Sequence, residues 1–405
     1  MSETEQHSWP RVFGIFAIGV TAAFLVGKVP AALPVLRKEL GVTLFEAGLL
    51  VSMLSFVAAM AGVLIGALAE ASGQRRTAMA GLVVAAAAGI AGSLARDPHQ
   101  LLLARAGEGI GFFMISVSLP GLIIQLSDSR RRQSAMGLWG AYLPFGAGLV
   151  LLAGGIAIAT IGWRGVWLGI SMILATMMLV LIWAAPSRAP RPSSGMKPLD
   201  IASAIGTTLA ARGALMLAVT FGCYSGQYLA LTSFVPLILV EEAQWALPTA
   251  AGAAAVVMIA NAVGNIIAGL LLDRGLSRAT LILVAAGAMA VGSALVMSDG
   301  LPVWLRLAGA LFFSTLGGMI PGALFAGVRQ HAPSAAHIST VNGLMLQSSS
   351  IGQFIGPALA ALLVSLGNGS WSWALYYLLP MAGLTAFAGF QIGRIEGDLA
   401  NAKQV

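Results

Sequence analysis

The sequence has a single cysteine, Cys223, which excludes an internal disulfide and any multi-cysteine metal site. Charge is scarce as well. Only 9% of the residues are Asp, Glu, Lys or Arg, against about a quarter in an ordinary soluble domain. The four histidines are scattered. His7, His331 and His337 read as solvated residues of cytoplasmic tails and loops, and His99 lies on the opposite side. No serine–histidine–acid order stands in a supporting context. The run GEGIG at 107–111 sits inside an apolar segment, without the strand and phosphate-binding lysine a nucleotide loop requires. Nothing here calls for a cofactor or for an enzyme; a membrane-embedded enzyme or sensor is the weakest of the function classes considered.

What the sequence has in abundance is apolar surface. Of the 405 residues, 58% are hydrophobic, more than a soluble core can use, so lipid must solvate much of the chain. Twelve windows are apolar over about twenty residues, the length that crosses a bilayer: 11–35, 45–69, 77–95, 100–124, 134–159, 164–185, 212–239, 248–272, 279–297, 302–327, 338–366 and 371–393. In lipid the backbone must satisfy its own hydrogen bonds, so these are helices. The 50 glycines suit close helix packing. The first apolar window is not followed by a small-residue cleavage site and is read as a retained helix.

The net charge of +7 is a matter of topology, and no nucleic-acid partner is expected. With the amino terminus placed in the cytoplasm, most arginines and lysines fall on the cytoplasmic side, with Arg37, Lys38, Arg96 and Arg164 as exceptions. That asymmetry is the positive-inside rule, and it puts both termini of a multi-pass inner-membrane protein in the cytoplasm. The polar, proline-rich stretch PSRAPRPSSGMKPLD divides the windows into two sets of six. The expected organisation is a bundle over 1–185, a linker over 186–211 and a second bundle over 212–405. The fold class is all-α: twelve transmembrane helices in two pseudo-symmetric six-helix bundles.

Internal repeats support the duplication. RAGEGIGFFMISVSLPG, Arg105 to Gly121, is echoed by RLAGALFFSTLGGMIPG, Arg306 to Gly322, with the same arginine-to-proline spacing. GALAEASGQRR, Gly66 to Arg76, is echoed by GLLLDRGLSR, Gly269 to Arg278, which aligns Glu70 with Asp273. Two readings of these loops stand side by side: basic loops that set topology, or a conformational latch built from Gly66, Glu70, Gly73, Arg75, Arg76, Asp273 and Arg274. Arginine inside an apolar span is costly and faces a bundle interior, a partner or water. Arg105 and Glu108 share one helix face and can pair. Glu108 is the one acid placed well inside a span, which makes it the candidate proton carrier or half of a structural ion pair. Lys28, with no obvious neighbour of opposite sign, either snorkels to the outer interface or meets an anionic substrate. Arg306 has the same two readings. Amides and aromatics in other spans complete a candidate substrate-binding set: Trp139, Tyr142, Tyr224, Gln227, Tyr228, Asn261, Asn265, Gln347 and Gln353. Buried amides need hydrogen-bond partners, either on neighbouring helices or on a solute.

The spans, the central loop and the Gly66–Arg76 loop together resemble the major facilitator superfamily, whose loop motif runs glycine, acid, glycine, basic residues. Here Glu70 replaces the usual aspartate. Arg105-Ala-Gly-Glu108-Gly109-Ile-Gly111 resembles the family's arginine-and-glycine motif, which the resemblance links to proton transfer. The spaced glycines that end in Gly-Pro in antiporters fit Gly343, Gly352, Gly356 and Pro357 better than the fifth span. Within the family, MGLWGAYLPFGAG (136–148), FGCYSGQYLALTSFVP (221–236) and the PAALPVLRKELGV run resemble the cyanate permease branch. The resemblance implies uptake of a small, often anionic solute. The expected protein is a monomeric secondary transporter working by alternating access, with protons as the candidate coupling ion. Export of a drug or metabolite by the same fold is the alternative.

Overall fold

In the computed structural model, residues 9–127, 139, 142–185, 205–334 and 337–402 are described, apart from the side chains of 61–72, 339, 400 and 402. Among them every regular element is helical. The chain runs α1 Trp9–Leu40, α2 Leu44–Ser72, α3 Gln74–Ser93, α4 Pro98–Leu126 and α5 Tyr142–Ala184. It continues with α6 Arg212–Thr232, α7 Val235–Glu241, α8 Leu247–Asp273, α9 Arg278–Met297 and α10 Val303–Gly317. Last come α11 Met319–His331, α12 Ile338–Leu366, a 3₁₀ turn Trp371–Ala374 and α13 Leu375–Ala402. Among the described residues they make ten stretches long and apolar enough to cross a membrane, α6 with α7 and α10 with α11 each counting as one, and the Leu44–Met60 part of α2 is apolar as well. The linker read at 186–211 falls largely outside the described residues.

Local chemistry sets the helix ends. The Asp97 side chain accepts from the Gln100 N–H at 2.9 Å, capping α4 ahead of Pro98 at its first turn. Ser277 does the same for α9 through the Thr280 N–H. Between α2 and α3 the chain reverses at Gly73, whose φ of 91° is open to glycine at little cost. Gly162, with φ 71°, interrupts the 43-residue α5 in its middle.

The chain separates into two compact units, Met1–Gly195 with Phe234–Ala255, and Met196–Ser233 with Val256–Val405. The first unit thus includes α7 and the start of α8. In the first unit α1 packs on α5, α2 on α4, and α3 on both α4 and α5. In the second, α6 packs on α12, and α9 on both α10 and α13. The neighbours recur in duplicate, and glycines make the contacts. A Cβ on Gly27 would lie 2.4 Å from the Ala147 carbonyl oxygen across the α1–α5 crossing. A Cβ on Gly352 would lie 2.0 Å from the Gly222 oxygen across the α6–α12 crossing. The GEGIG glycines are packing residues of the same kind. Gly109 abuts the Leu54 carbonyl on α2, and Gly111 abuts the Gly81 and Ala85 backbone on α3.

Candidate functional site

The deepest polar feature of the first unit is a group of three charged side chains. Lys28 from α1 is fully buried, and its Nζ donates to Glu108 Oε1 at 2.5 Å. Arg105, one turn before Glu108 on α4, donates through Nη1 to Glu108 Oε2 at 2.6 Å. Arg105 also donates to two main-chain oxygens, through Nε to Leu50 of α2 at 3.1 Å and through Nη1 to Leu25 of α1 at 3.0 Å. Two cations therefore share one carboxylate. The Lys28 ammonium lies 4.5 Å from the centre of the Trp167 ring, which adds a cation–π contact. Gly89 of α3 makes room for the cluster: a Cβ there would lie 2.2 Å from Ser171 Oγ and 3.2 Å from Glu108 Oε1.

This arrangement corrects the reading of Lys28 as a lysine reaching the outer interface. The ammonium is turned inward because a carboxylate 80 residues away in sequence meets it there. Desolvating two cations is expensive unless the anion and its hydrogen bonds are in place, and the second glutamate oxygen, the main-chain oxygens and the indole supply them. The Arg105–Glu108 pair stands as its spacing predicted.

Elsewhere in the first unit, Trp139 stacks on Tyr142 with ring centres 4.0 Å apart. Gly19 of α1 leaves the space for the indole, since a Cβ there would lie 2.5 Å from it. The Tyr142 hydroxyl donates to Ser116 Oγ at 3.3 Å. In the latch loop, Arg75 donates to the Ile182 carbonyl at 3.3 Å and Arg76 is exposed. Asp273 and Arg274 are exposed at the end of α8. Gly66 and Glu70 lie on α2 among side chains outside the described set.

Among the described residues, the second unit does not repeat the charged cluster at the matching position of its own arginine segment. Where the first repeat has Glu108, the second has Gly309, and Arg306 donates through Nε to the Val296 carbonyl at 2.7 Å. Its polar feature is an aromatic and amide group. Phe221, Tyr224 and Tyr228 stack along α6, with ring centres 6.2 and 5.8 Å apart. Asn261 of α8 donates to the Tyr224 hydroxyl at 2.9 Å and to the Ser314 carbonyl at 3.1 Å. Asn265, one turn on, donates to the Asn261 carbonyl at 3.5 Å. The Gln227 amide donates to the Cys223 carbonyl and to Thr385 Oγ1, and its own carbonyl oxygen is buried without a partner among the described residues. Gln353 donates to Ser349 Oγ, which bonds Ser225 Oγ at 2.7 Å, and Gln347 is half-buried on the same helix.

Sequence reasoning missed Trp167, Ser171 and Gly89 around Glu108. The pair of tryptophans in WRGVW was the available signal for the first of them. It also misplaced His331. That side chain is buried and pairs with Glu396 at 3.0 Å, while Arg278 forms an ion pair with the same carboxylate. The helix carries His331 past the end of its apolar window, where Gly213 leaves room for the ring.

Comparison with known proteins fits this architecture. The family model described as Major Facilitator Superfamily matches residues 12–349. The cephamycin export protein of Amycolatopsis lactamdurans is 30% identical over 198 residues. That match covers 46% of this chain and 40% of the export protein, less than half the length of either. The 3-(3-hydroxy-phenyl)propionate transporter of Escherichia coli is 27% identical over 370 residues, 88% of this chain and 83% of that protein. Among solved structures, a bacterial homologue of the human lysosomal transporter Spinster, in its inward-facing and unoccupied conformation, superposes with a TM-score of 0.78. It is 16% identical and covers 97% of this chain and 99% of its own; that likeness concerns the fold.

Proposed function

The chain belongs to the Major Facilitator Superfamily, and on that premise we propose that it is a secondary active transporter. It takes up a small organic anion across the inner membrane by alternating access, with a proton as coupling ion. The observation that carries this reading is the buried Lys28–Glu108–Arg105 cluster. A carboxylate held by two cations in a lipid-spanning bundle can give up one partner when it takes a proton, and that exchange is what coupling requires. In this reading Glu108 holds the coupling proton. Lys28 and Arg105 answer the charge of the cargo. Trp139, Tyr142, Tyr224, Gln227, Tyr228, Asn261, Asn265, Gln347 and Gln353 supply stacking and hydrogen bonds. The aromatic and amide character of that set suits a ring-bearing carboxylate. A relative that matches most of the chain is named for one. The resemblance of 136–148 and 221–236 to cyanate permeases supports a small anion more generally.

The rest of the proposal follows the sequence. Counting the two arms of α5 about Gly162 separately, and α2 as a span, gives twelve helices in two halves, 1–185 and 212–405, joined by 186–211. The protein works as a monomer with both termini cytoplasmic. The basic loops, Gly66, Glu70, Gly73, Arg75 and Arg76 with Asp273 and Arg274, act as a conformational latch.

Flux in proteoliposomes tests this. With 3-phenylpropionate, benzoate and cyanate as probes, a one-unit pH gradient that drives one proton per anion supports about tenfold accumulation. The expected result is gradient-dependent uptake of at least one aromatic carboxylate and none of its neutral amide. Absence of gradient-dependent uptake across the panel sinks the reading. The likeness to a cephamycin export protein favours the second reading, export. Efflux of a β-lactam or dye against an inward proton gradient would establish it instead.

A further inference from the structure

Two of the cations that break the positive-inside pattern, Arg37 and Lys38, lie in the last turn of α1. A helix C-terminus favours cations there, which accounts for the charge and not for its surroundings. Beside them is a cavity of about 480 Å³, lined by Pro34, Arg37 and Lys38 from α1 and by Val240, Glu241 and Gln244 around the end of α7. All six residues belong to the first unit. The volume falls in the range of small-ligand pockets.

The polar groups of this cavity are only partly matched. Arg37 Nη1 is hydrogen-bonded to both oxygens of Glu241. Arg37 Nε is buried and has no partner among the described residues. Lys38 is exposed at the rim. The far wall is fixed: Gln244 adopts a left-handed φ of 56°, and its side-chain amide donates to the Glu241 carbonyl at 2.7 Å. Arginine presents a planar fork of donors that fits a carboxylate two-pronged. Here one edge of that fork is spent on Glu241 while Nε is spare. The Arg37–Glu241 pair is part-exposed, the kind of ion pair that contributes little and exchanges readily.

We propose that this cavity is a binding site for an organic carboxylate at the ends of α1 and α7, in which the ligand takes Arg37 away from Glu241. Glu241 is then a built-in competitor that occupies the arginine until an anion arrives. Lys38 draws the anion in, and Pro34 and Val240 offer apolar surface to its body. The site rests on the reading that the cargo is a small organic anion, and it stands apart from the buried Lys28–Glu108–Arg105 cluster.

Competition predicts opposite effects from the two halves of one ion pair. In detergent-solubilised full-length protein, with radiolabelled 3-phenylpropionate as probe, Glu241→Gln should tighten binding about threefold to tenfold. Arg37→Gln should weaken it about tenfold or more, the scale of one charge-assisted contact. Lys38→Gln, a change at an exposed position, should weaken binding severalfold and flatten its salt dependence; the neutral 3-phenylpropionamide should be indifferent to all three. The proposal is overturned if Arg37→Gln and Glu241→Gln weaken binding alike, which marks the pair as a structural strut. It is also overturned if none of the variants shifts binding, or if the wild-type protein binds no probe. Flux separates the two readings. Transport of the probe with unshifted binding sinks this site alone, whereas the expected shifts without transport sink the uptake reading and leave the site standing.

Discussion

Glu108→Gln is expected to destabilise the first unit by about 3–5 kcal/mol, the usual cost of removing one partner from a buried ion pair. It is also expected to abolish proton-driven uptake. The carboxylate is the shared anion of Lys28 and Arg105, both fully or almost fully buried. Without it two cations face each other in an apolar interior, and the main-chain oxygens of Leu25 and Leu50 hold only the arginine. The double variant Lys28→Met/Glu108→Gln removes one of those cations, and thermal unfolding in detergent should show it more stable than Glu108→Gln alone. With Lys28→Met alone completing the cycle, the non-additivity measures the Lys28–Glu108 coupling. A Glu108→Gln protein that melts with the wild type and still accumulates substrate on a proton gradient would strip the cluster of both roles.

The second large effect lies in the other unit. Gly352→Ala should cost about 3 kcal/mol, the upper end for overpacking a tight contact. The new methyl would lie 2.0 Å from the Gly222 carbonyl oxygen and 3.0 Å from the Gly226 nitrogen. Both are backbone atoms, which cannot rotate away as a side chain does, so α6 and α12 would have to separate along their crossing. Gly343→Ala on the same helix is the control. Nothing lies within 4 Å of a Cβ there, and alanine in a helix is favoured over glycine by about 1 kcal/mol. Thermal unfolding should therefore move the two variants in opposite directions. Equal melting temperatures would mean that the crossing does not depend on bare backbone.

Much of the scaffold was legible because lipid imposes one simple rule on length and polarity. The window at 100–124 became α4 over Pro98–Leu126, and that at 279–297 became α9 over Arg278–Met297. Pairing within one helix was legible too, since Arg105 and Glu108 are a turn apart. Pairing between helices was not: nothing in the sequence around Lys28 points to a carboxylate 80 residues away. Helix ends beyond the apolar window were also hidden. His331 looked like a loop residue because hydropathy falls before the helix does, and its burial depends on Gly213 and Glu396 from distant segments. Glycine partnership was half legible. Gly352 and Gly356 stood out beside Pro357, while Gly222 and Gly226, which meet them, were masked by the polar residues of CYSGQ.

The two repeats share the arginine and the Pro-Gly pair, but where the first has Glu108 the second has Gly309. On the proposed reading, the matching position of the second repeat supplies no second proton carrier. If Glu108 holds the coupling proton as proposed, each turnover carries through it no more than one hydrogen ion. A monovalent anion moving in with it is electrically silent, so a potassium diffusion potential set with valinomycin should leave the uptake rate unchanged while a pH step alters it.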